Sequence, residues 1–162
     1  MIKVLFVCHG NICRSPMAEF VFKDMIQKEG LSDRFDVASA ATSTEEIWNG
    51  VGNFVYPPAR DELRKHGISC EGKRARLLQK SDYEKYDYLI GMESANLRNM
   101  SRILGSDPDK KIYKLLDFSD RKGFSGRDIA DPWYTGRFGQ TYEDILEGCT
   151  SFFRYLCDKG LV

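Results

Sequence analysis

The chain has 162 residues, the size of one ordinary domain, and its 24 basic and 24 acidic side chains cancel. A formally neutral chain has no broad attraction to nucleic acid or an anionic membrane, although one small anion site is compatible with it. Hydrophobic residues at 42% and aromatics at 12% exclude disorder, and five cysteines without a signal segment read as thiols of a reducing, cytoplasmic compartment.

Ile2 to Val7 is a β-branched and aromatic run interrupted by Lys3, too short for a signal core and suited to a buried strand. Ser15-Pro16 reads as an N-cap followed by proline at the first helical position, with Met17, Phe20, Val21 and Met25 near one face and Gly30 as the stop. Phe35 to Ala40 is a second strand candidate. Pro57-Pro58 opens a helix that closes at Gly67, and Ser81 with Glu84 has capping-box spacing. Asp87 to Met92 reads as a third strand, Glu93 to Leu104 as a helix ended by Gly105, and Ile112 to Leu116 as a fourth strand. The last helix is expected near Tyr142, with Ile145, Cys149, Phe152, Phe153 and Leu156 on one side. No repeat, linker or transmembrane-length stretch interrupts this order. The expectation is a single domain over 1–162. Its architecture is an α/β three-layer sandwich, a central four-stranded parallel sheet flanked by helices on both faces, flavodoxin-like or Rossmann-like. Such sheets bind ligands at the carboxyl ends of strands, beside helix N-termini.

The segment Val7 to Pro16 lies at that place. A strand delivers Cys8, a tight loop follows, and a helix opens. Gly10 and Asn11 accommodate left-handed backbone that turns successive N–H groups inward. The helix start adds its positive end, and Arg14 offers a planar fork that matches two phosphate oxygens. A thiol in this field is favoured as the thiolate, poised under a bound phosphoryl group. The bare Cys-x5-Arg spacing is weak, with about 0.4 matches expected by chance, and Cys70 to Arg76 is a second instance. There Glu71 would repel a phosphate and no Ser-Pro follows the arginine. Gly67 to Arg74 nearly fits a nucleotide-binding loop, but Arg74 replaces the magnesium-holding hydroxyl and the preceding residues look helical. His9 beside Cys8 is a poor protease pair, because neighbours in a loop diverge. From the residues alone, a Gly-Asn turn with a buried cysteine stays open, as does an ordinary Asp-Pro turn at Asp131.

The residues around Cys8 resemble the low-molecular-weight protein tyrosine phosphatase family, whose signature is Val-Cys-x-Gly-Asn-x-Cys-Arg-Ser-Pro. Every fixed position of it stands between Val7 and Pro16. Ser39, Trp48, His66-Gly67-Ile68, Arg74-Ala75-Arg76, Met92 to Arg98 and Asp131-Pro132-Trp133-Tyr134 follow in family order. The resemblance implies hydrolysis of phosphotyrosine in protein substrates and of small aryl phosphates. Cys8 would form a cysteinyl-phosphate, Arg14 would hold the phosphate, and Asp131 would act as general acid and then base. His9, Gly10, Asn11, Ile12 and Cys13 would form the phosphate loop, supported by Ser15 and Ser39. Trp48, Trp133 and Tyr134 would wall the substrate slot. A reversible Cys8–Cys13 disulfide is also implied, as is a monomer or weak self-association, with no cofactor and no metal. Two features bear on rival readings. Lys73 stands where many members carry a loop-supporting histidine, and Ile12 where protein-arginine phosphatases of the same fold carry threonine. Arsenate reductases need a further cysteine pair, and none lies between Glu71 and Glu147.

Overall fold

The computed structural model describes residues 1–162. In chain order the elements are β1 (Ile2–Cys8), α1 (Arg14–Lys28), β2 (Phe35–Ala41), β3 (Ile47–Trp48), β4 (Val51–Gly52), α2 (Pro57–Lys65) and α3 (Asp82–Lys85). Then follow β5 (Tyr88–Gly91), α4 (Ser94–Leu104), β6 (Ile112–Lys114), α5 (Pro132–Thr135) and α6 (Phe138–Asp158). Four strands form one parallel sheet in the order β2-β1-β5-β6, and β3 and β4 form a separate antiparallel hairpin.

The central strand shows why the sheet is covered on both faces. Alternate side chains of a strand point to opposite sides. Val4, Phe6 and Cys8 enter a core with α1 and α6, while Leu5 and Val7 enter a smaller one with Met100 and Leu104 of α4. The larger core is aromatic at its centre. The Phe152 ring lies 5.3 Å from that of Phe22, 4.8 Å from Phe118 and 5.2 Å from Tyr88. The four-stranded parallel sheet with flanking helices is the expected architecture.

Local boundaries differ from the sequence reading in instructive ways. Helix α1 starts at Arg14 with Cys13 in the cap position, so Ser15 and Pro16 lie inside the first turn. Ser15 does not cap because its hydroxyl is engaged by Cys8 and Asn11. Ser81 precedes α3 but makes no cap bond; the Asp82 carboxylate instead accepts the Gln79 N–H at 2.7 Å. The fourth strand stops at Lys114, because Leu115 and Leu116 turn into a 3₁₀ segment and bury against α6. Helix α6 begins at Phe138, one turn before Tyr142, where the Phe138 ring packs 6.0 Å from Tyr56. The β3–β4 hairpin was not anticipated, although Asn49-Gly50, both at positive φ, is a strong two-residue turn signal.

One helical glycine marks a close approach. A Cβ on Gly148 of α6 would lie 2.4 Å from Leu115 Cγ. Gly→Ala in an open helix gains about 1 kcal/mol. Here the forced shift of a buried leucine should reverse the sign, with Gly148→Ala costing about 1–3 kcal/mol. Urea unfolding measures this, and a midpoint at or above that of the parent protein would contradict the close packing.

Candidate active site

The carboxyl end of β1 delivers Cys8 and the N-terminus of α1 begins six residues later, so the intervening loop must reverse tightly. Asn11 makes this possible at φ 58°, a conformation that asparagine tolerates better than most side chains. The backbone N–H of Ser15 points at Cys8 Sγ from 3.4 Å and the Ser15 hydroxyl lies 3.0 Å from it. The sulfur therefore sits at the positive end of a fifteen-residue helix.

A chain of buried hydrogen bonds sets the direction of that hydroxyl. Asn11 Oδ1 accepts the Arg76 N–H at 3.1 Å, which fixes the amide orientation. Asn11 Nδ2 then donates to Ser15 Oγ at 2.8 Å and to Ser39 Oγ at 2.9 Å. Ser39 passes its own proton to Glu19 Oε1 at 2.6 Å. With Asn11 donating to its oxygen, the Ser15 hydroxyl has its proton free to donate to sulfur. Lys73 anchors the far end: its Nζ donates to the Ser39 carbonyl at 2.9 Å and lies 3.5 Å from Glu19. Lys23 pairs with the other Glu19 oxygen at 2.6 Å. Burial pulls the Lys73 ammonium below the ordinary lysine range; Glu19 opposes this and Arg76 adds to it. The lysine noted as a departure is thus part of the loop support. It is also unavailable as a nucleotide-loop lysine, and the Gly67 to Arg74 segment is followed by no helix.

Arg14 is 2% exposed and its guanidinium is met by three residues from two segments. Nη1 donates to the Ile129 carbonyl at 2.8 Å and lies 3.2 Å from Glu93 Oε2, while Nη2 lies 3.4 Å from Asp131 Oδ2. Burial disfavours the Arg14 charge, but Cys8, Asp131 and Glu93 outweigh it and push its pKa up. Asp131 caps α5, accepting the Trp133 N–H at 3.0 Å through Oδ1, which leaves Oδ2 on the Arg14 side.

These groups enclose a pocket of about 120 Å³. Cys8, Cys13, Arg14 and the loop residues His9, Gly10 and Ile12 form its base. Asp131, Trp133 and Tyr134 stand on one side, Glu45 and Glu46 on the other. Asn11, Ser15 and Ser39 lie beneath, buried. Trp48 is 74% exposed on the hairpin, so it is not a buried anchor. Glu45, Glu46 and Glu93 were not anticipated. His9 Nε2 pairs with Glu45 at 3.0 Å, and Glu46 bonds to Asn53 at 2.7 Å. Only the fold brings these carboxylates to the loop, so no local spacing signals them.

All five cysteines are free thiols. Burial, followed by the Cys8 and Asp131 charges, pushes the Cys13 thiol up, and burial alone does so for Cys149. Cys157 is exposed. Iodoacetamide at neutral pH should therefore label the exposed Cys157 and spare Cys13 and Cys149, as peptide mass spectrometry would read. Labelling of Cys13 as fast as Cys157 would contradict this environment.

The family model described as low molecular weight phosphotyrosine protein phosphatase matches residues 3–160. A Bacillus subtilis protein, low molecular weight protein-tyrosine-phosphatase YfkJ, is 38% identical over 149 residues, spanning 92% of each chain. The crystal structure of YfkJ from Bacillus subtilis superposes with a TM-score of 0.90 at 34% identity, covering 98% of this chain and 96% of that one. The crystal structure of DARP, drosophila arginine phosphatase, gives a TM-score of 0.81 at 32% identity over 95% of this chain and 97% of that one. A match of this extent, on a chain whose phosphate loop carries every fixed position of the signature, settles the family: the chain belongs to the low molecular weight phosphotyrosine protein phosphatases.

Proposed function

We propose that residues 1–162 act as a single phosphatase domain that hydrolyses phosphotyrosine in protein substrates through a cysteinyl-phosphate. The observation that carries this reading is Cys8 Sγ. It accepts from the Ser15 N–H, lies 3.0 Å from the Ser15 hydroxyl and shares one pocket with Arg14 and Asp131. The phosphate dianion binds the loop, with Arg14 and the amides at the start of α1 on its equatorial oxygens. The Cys8 thiolate attacks phosphorus in line, forming the S–P bond as the P–O bond to the phenol breaks. Protonated Asp131 gives its proton to the leaving oxygen. The resulting carboxylate then takes a proton from water as that water attacks phosphorus. Inorganic phosphate leaves, and Cys8 departs as the thiolate. Ser15 stabilises the sulfur at both ends of the cycle, and Arg14 with the loop amides stabilises the charge on the phosphoryl oxygens throughout.

Slot chemistry favours an aryl ester. Trp133, half exposed and 4.8 Å from the Tyr56 ring, and Tyr134, 84% exposed, offer aromatic faces above the phosphate site. Ile12 adds an apolar wall. The second reading, a protein-arginine phosphatase, draws on the likeness to DARP. Ile12 weighs against it, since it has no hydroxyl to assist attack on a phosphoramidate.

Purified protein should hydrolyse p-nitrophenyl phosphate in the presence of a chelator, and Cys8→Ser should lower kcat at least about 10³-fold. Among phosphotyrosine, phosphoserine and phosphoarginine peptides, the first should have the highest kcat/KM. Preference for phosphoarginine would turn the assignment to the second reading, and retention of activity in Cys8→Ser would remove Cys8 as nucleophile. Asp131→Asn should lower kcat/KM for phenyl phosphate about 10²-fold or more while lowering that for p-nitrophenyl phosphate far less, because in forming the cysteinyl-phosphate only the poor leaving group needs the proton.

A further inference from the structure

Asp131 and the carbonyl that holds Arg14 sit on the same irregular segment. From Ser119 to Asp131 the chain has neither helix nor strand, so nothing periodic fixes its path. Thirteen residues of such backbone would place a carboxyl loosely, and a misplacement of about 1 Å can cost about a hundredfold in rate. What holds this segment is a set of side-chain anchors immediately before Asp131.

Arg127 is the principal one. Its Nη2 donates to Asp144 Oδ1 at 2.7 Å and its Nη1 to Asp144 Oδ2 at 3.2 Å, a two-pronged pair on α6. Nε donates to the Gly123 carbonyl at 2.8 Å, which closes the preceding turn. Asp144 is 2% exposed, and Gln140 Nε2 donates to its Oδ1 at 2.9 Å. The Asp144 end of the anchor is therefore desolvated and held by a second donor, while Arg127 keeps a partly exposed side chain. The next residue is tied to the opposite side. Asp128 Oδ1 accepts the Ser94 N–H at 3.0 Å and the Ser94 hydroxyl at 3.2 Å, at the start of α4, and lies 3.1 Å from Lys114 Nζ. Ile129 follows, its N–H donating to the Met92 carbonyl at 2.9 Å and its own carbonyl accepting from Arg14 at 2.8 Å.

We propose that Arg127, through its clamp on Asp144 with Asp128 as the second tie, is the positioning residue that aims the Asp131 carboxyl at the leaving group and the Ile129 carbonyl at Arg14. This rests on the reading of Asp131 as general acid. No anchor touches the substrate; each acts through the two residues that follow it. The clamp makes proton donation and phosphate holding depend on one stretch of backbone, so loosening it should disturb both together.

The test is the ratio of kcat/KM for p-nitrophenyl phosphate to kcat/KM for phenyl phosphate, which reads formation of the cysteinyl-phosphate alone, with the inhibition constant of inorganic phosphate beside it. Arg127→Ala should raise the ratio about tenfold and weaken phosphate inhibition severalfold. Arg127→Lys, which keeps the charge but not the fork, should recover part of the loss. Asp128→Ala removes a half-exposed carboxylate and serves if Arg127→Ala fails to fold; it should raise the ratio about threefold. In an Asp131→Asn background, Arg127→Ala should leave the ratio unchanged, because the group it positions is gone. Equal slowing of both esters by the Arg127 and Asp128 variants, with Asp131→Asn still selective, would overturn the clamp alone. Equal slowing by Asp131→Asn would overturn the general acid and the clamp with it.

Discussion

A guanidinium removed from water must be met by acceptors, and Arg14, among the largest fully buried side chains in the protein, imposes that requirement on everything around it. An unpaired charge at this depth would cost several kcal/mol, of the order of a domain's whole net stability. Its acceptors come from two places that are distant in sequence: Glu93 ahead of α4, and Ile129 with Asp131 ahead of α5. The carboxyl ends of β1 and β5 lie side by side in the parallel sheet, which brings the loop after Cys8 next to Glu93. The segment before α5 has no strand to place it and depends on side-chain ties. The pocket is thus a consequence of satisfying one buried cation, and the same cation lines the pocket proposed to take the phosphate.

The sulfur is governed by a second constraint, the direction of hydroxyl protons. A serine beside a thiol can donate or accept, and only donation favours a thiolate. Here the choice is made remotely. The Arg76 N–H orients the Asn11 amide, and Glu19 draws the Ser39 proton away from the amide nitrogen. Asn11 donates both to Ser15 beside the sulfur and to Ser39, whose own proton points to Glu19. Two lysines flank Glu19, so the carboxylate at the end of the chain is itself neutralised.

Much of this was legible in the sequence, and the reasons are specific. Ile2 to Val7 alternates into two cores, so its burial and the parallel sheet follow from β-branched runs between helical segments. Cys8, Arg14 and Ser15 lie within eight residues, where strand, turn and helix start fix their relation almost without tertiary information. The helix start itself was misplaced by reading Ser15 as a cap, because a hydroxyl engaged by a sulfur and an amide looks the same in sequence as one that caps. Glu93 and the acidic pair Glu45–Glu46 were invisible for a different reason: they reach the pocket across the fold, and a lone glutamate carries no spacing signal. Family order drew Trp48 toward the slot, and the two-residue strand of the hairpin leaves it exposed rather than buried.

The neutral composition acquires a sharper meaning from the distribution of charge. A dianion must find net attraction in a pocket whose walls include Glu45, Glu46 and Asp131. Attraction at the base comes from Arg14 and the helix start, in a desolvated setting where fields are strong. The carboxylates on the rim are more exposed, and water screens them. Depth, rather than total charge, therefore decides where the phosphate goes: the rim does little to repel an anion from afar, and the base holds it once it has shed its water.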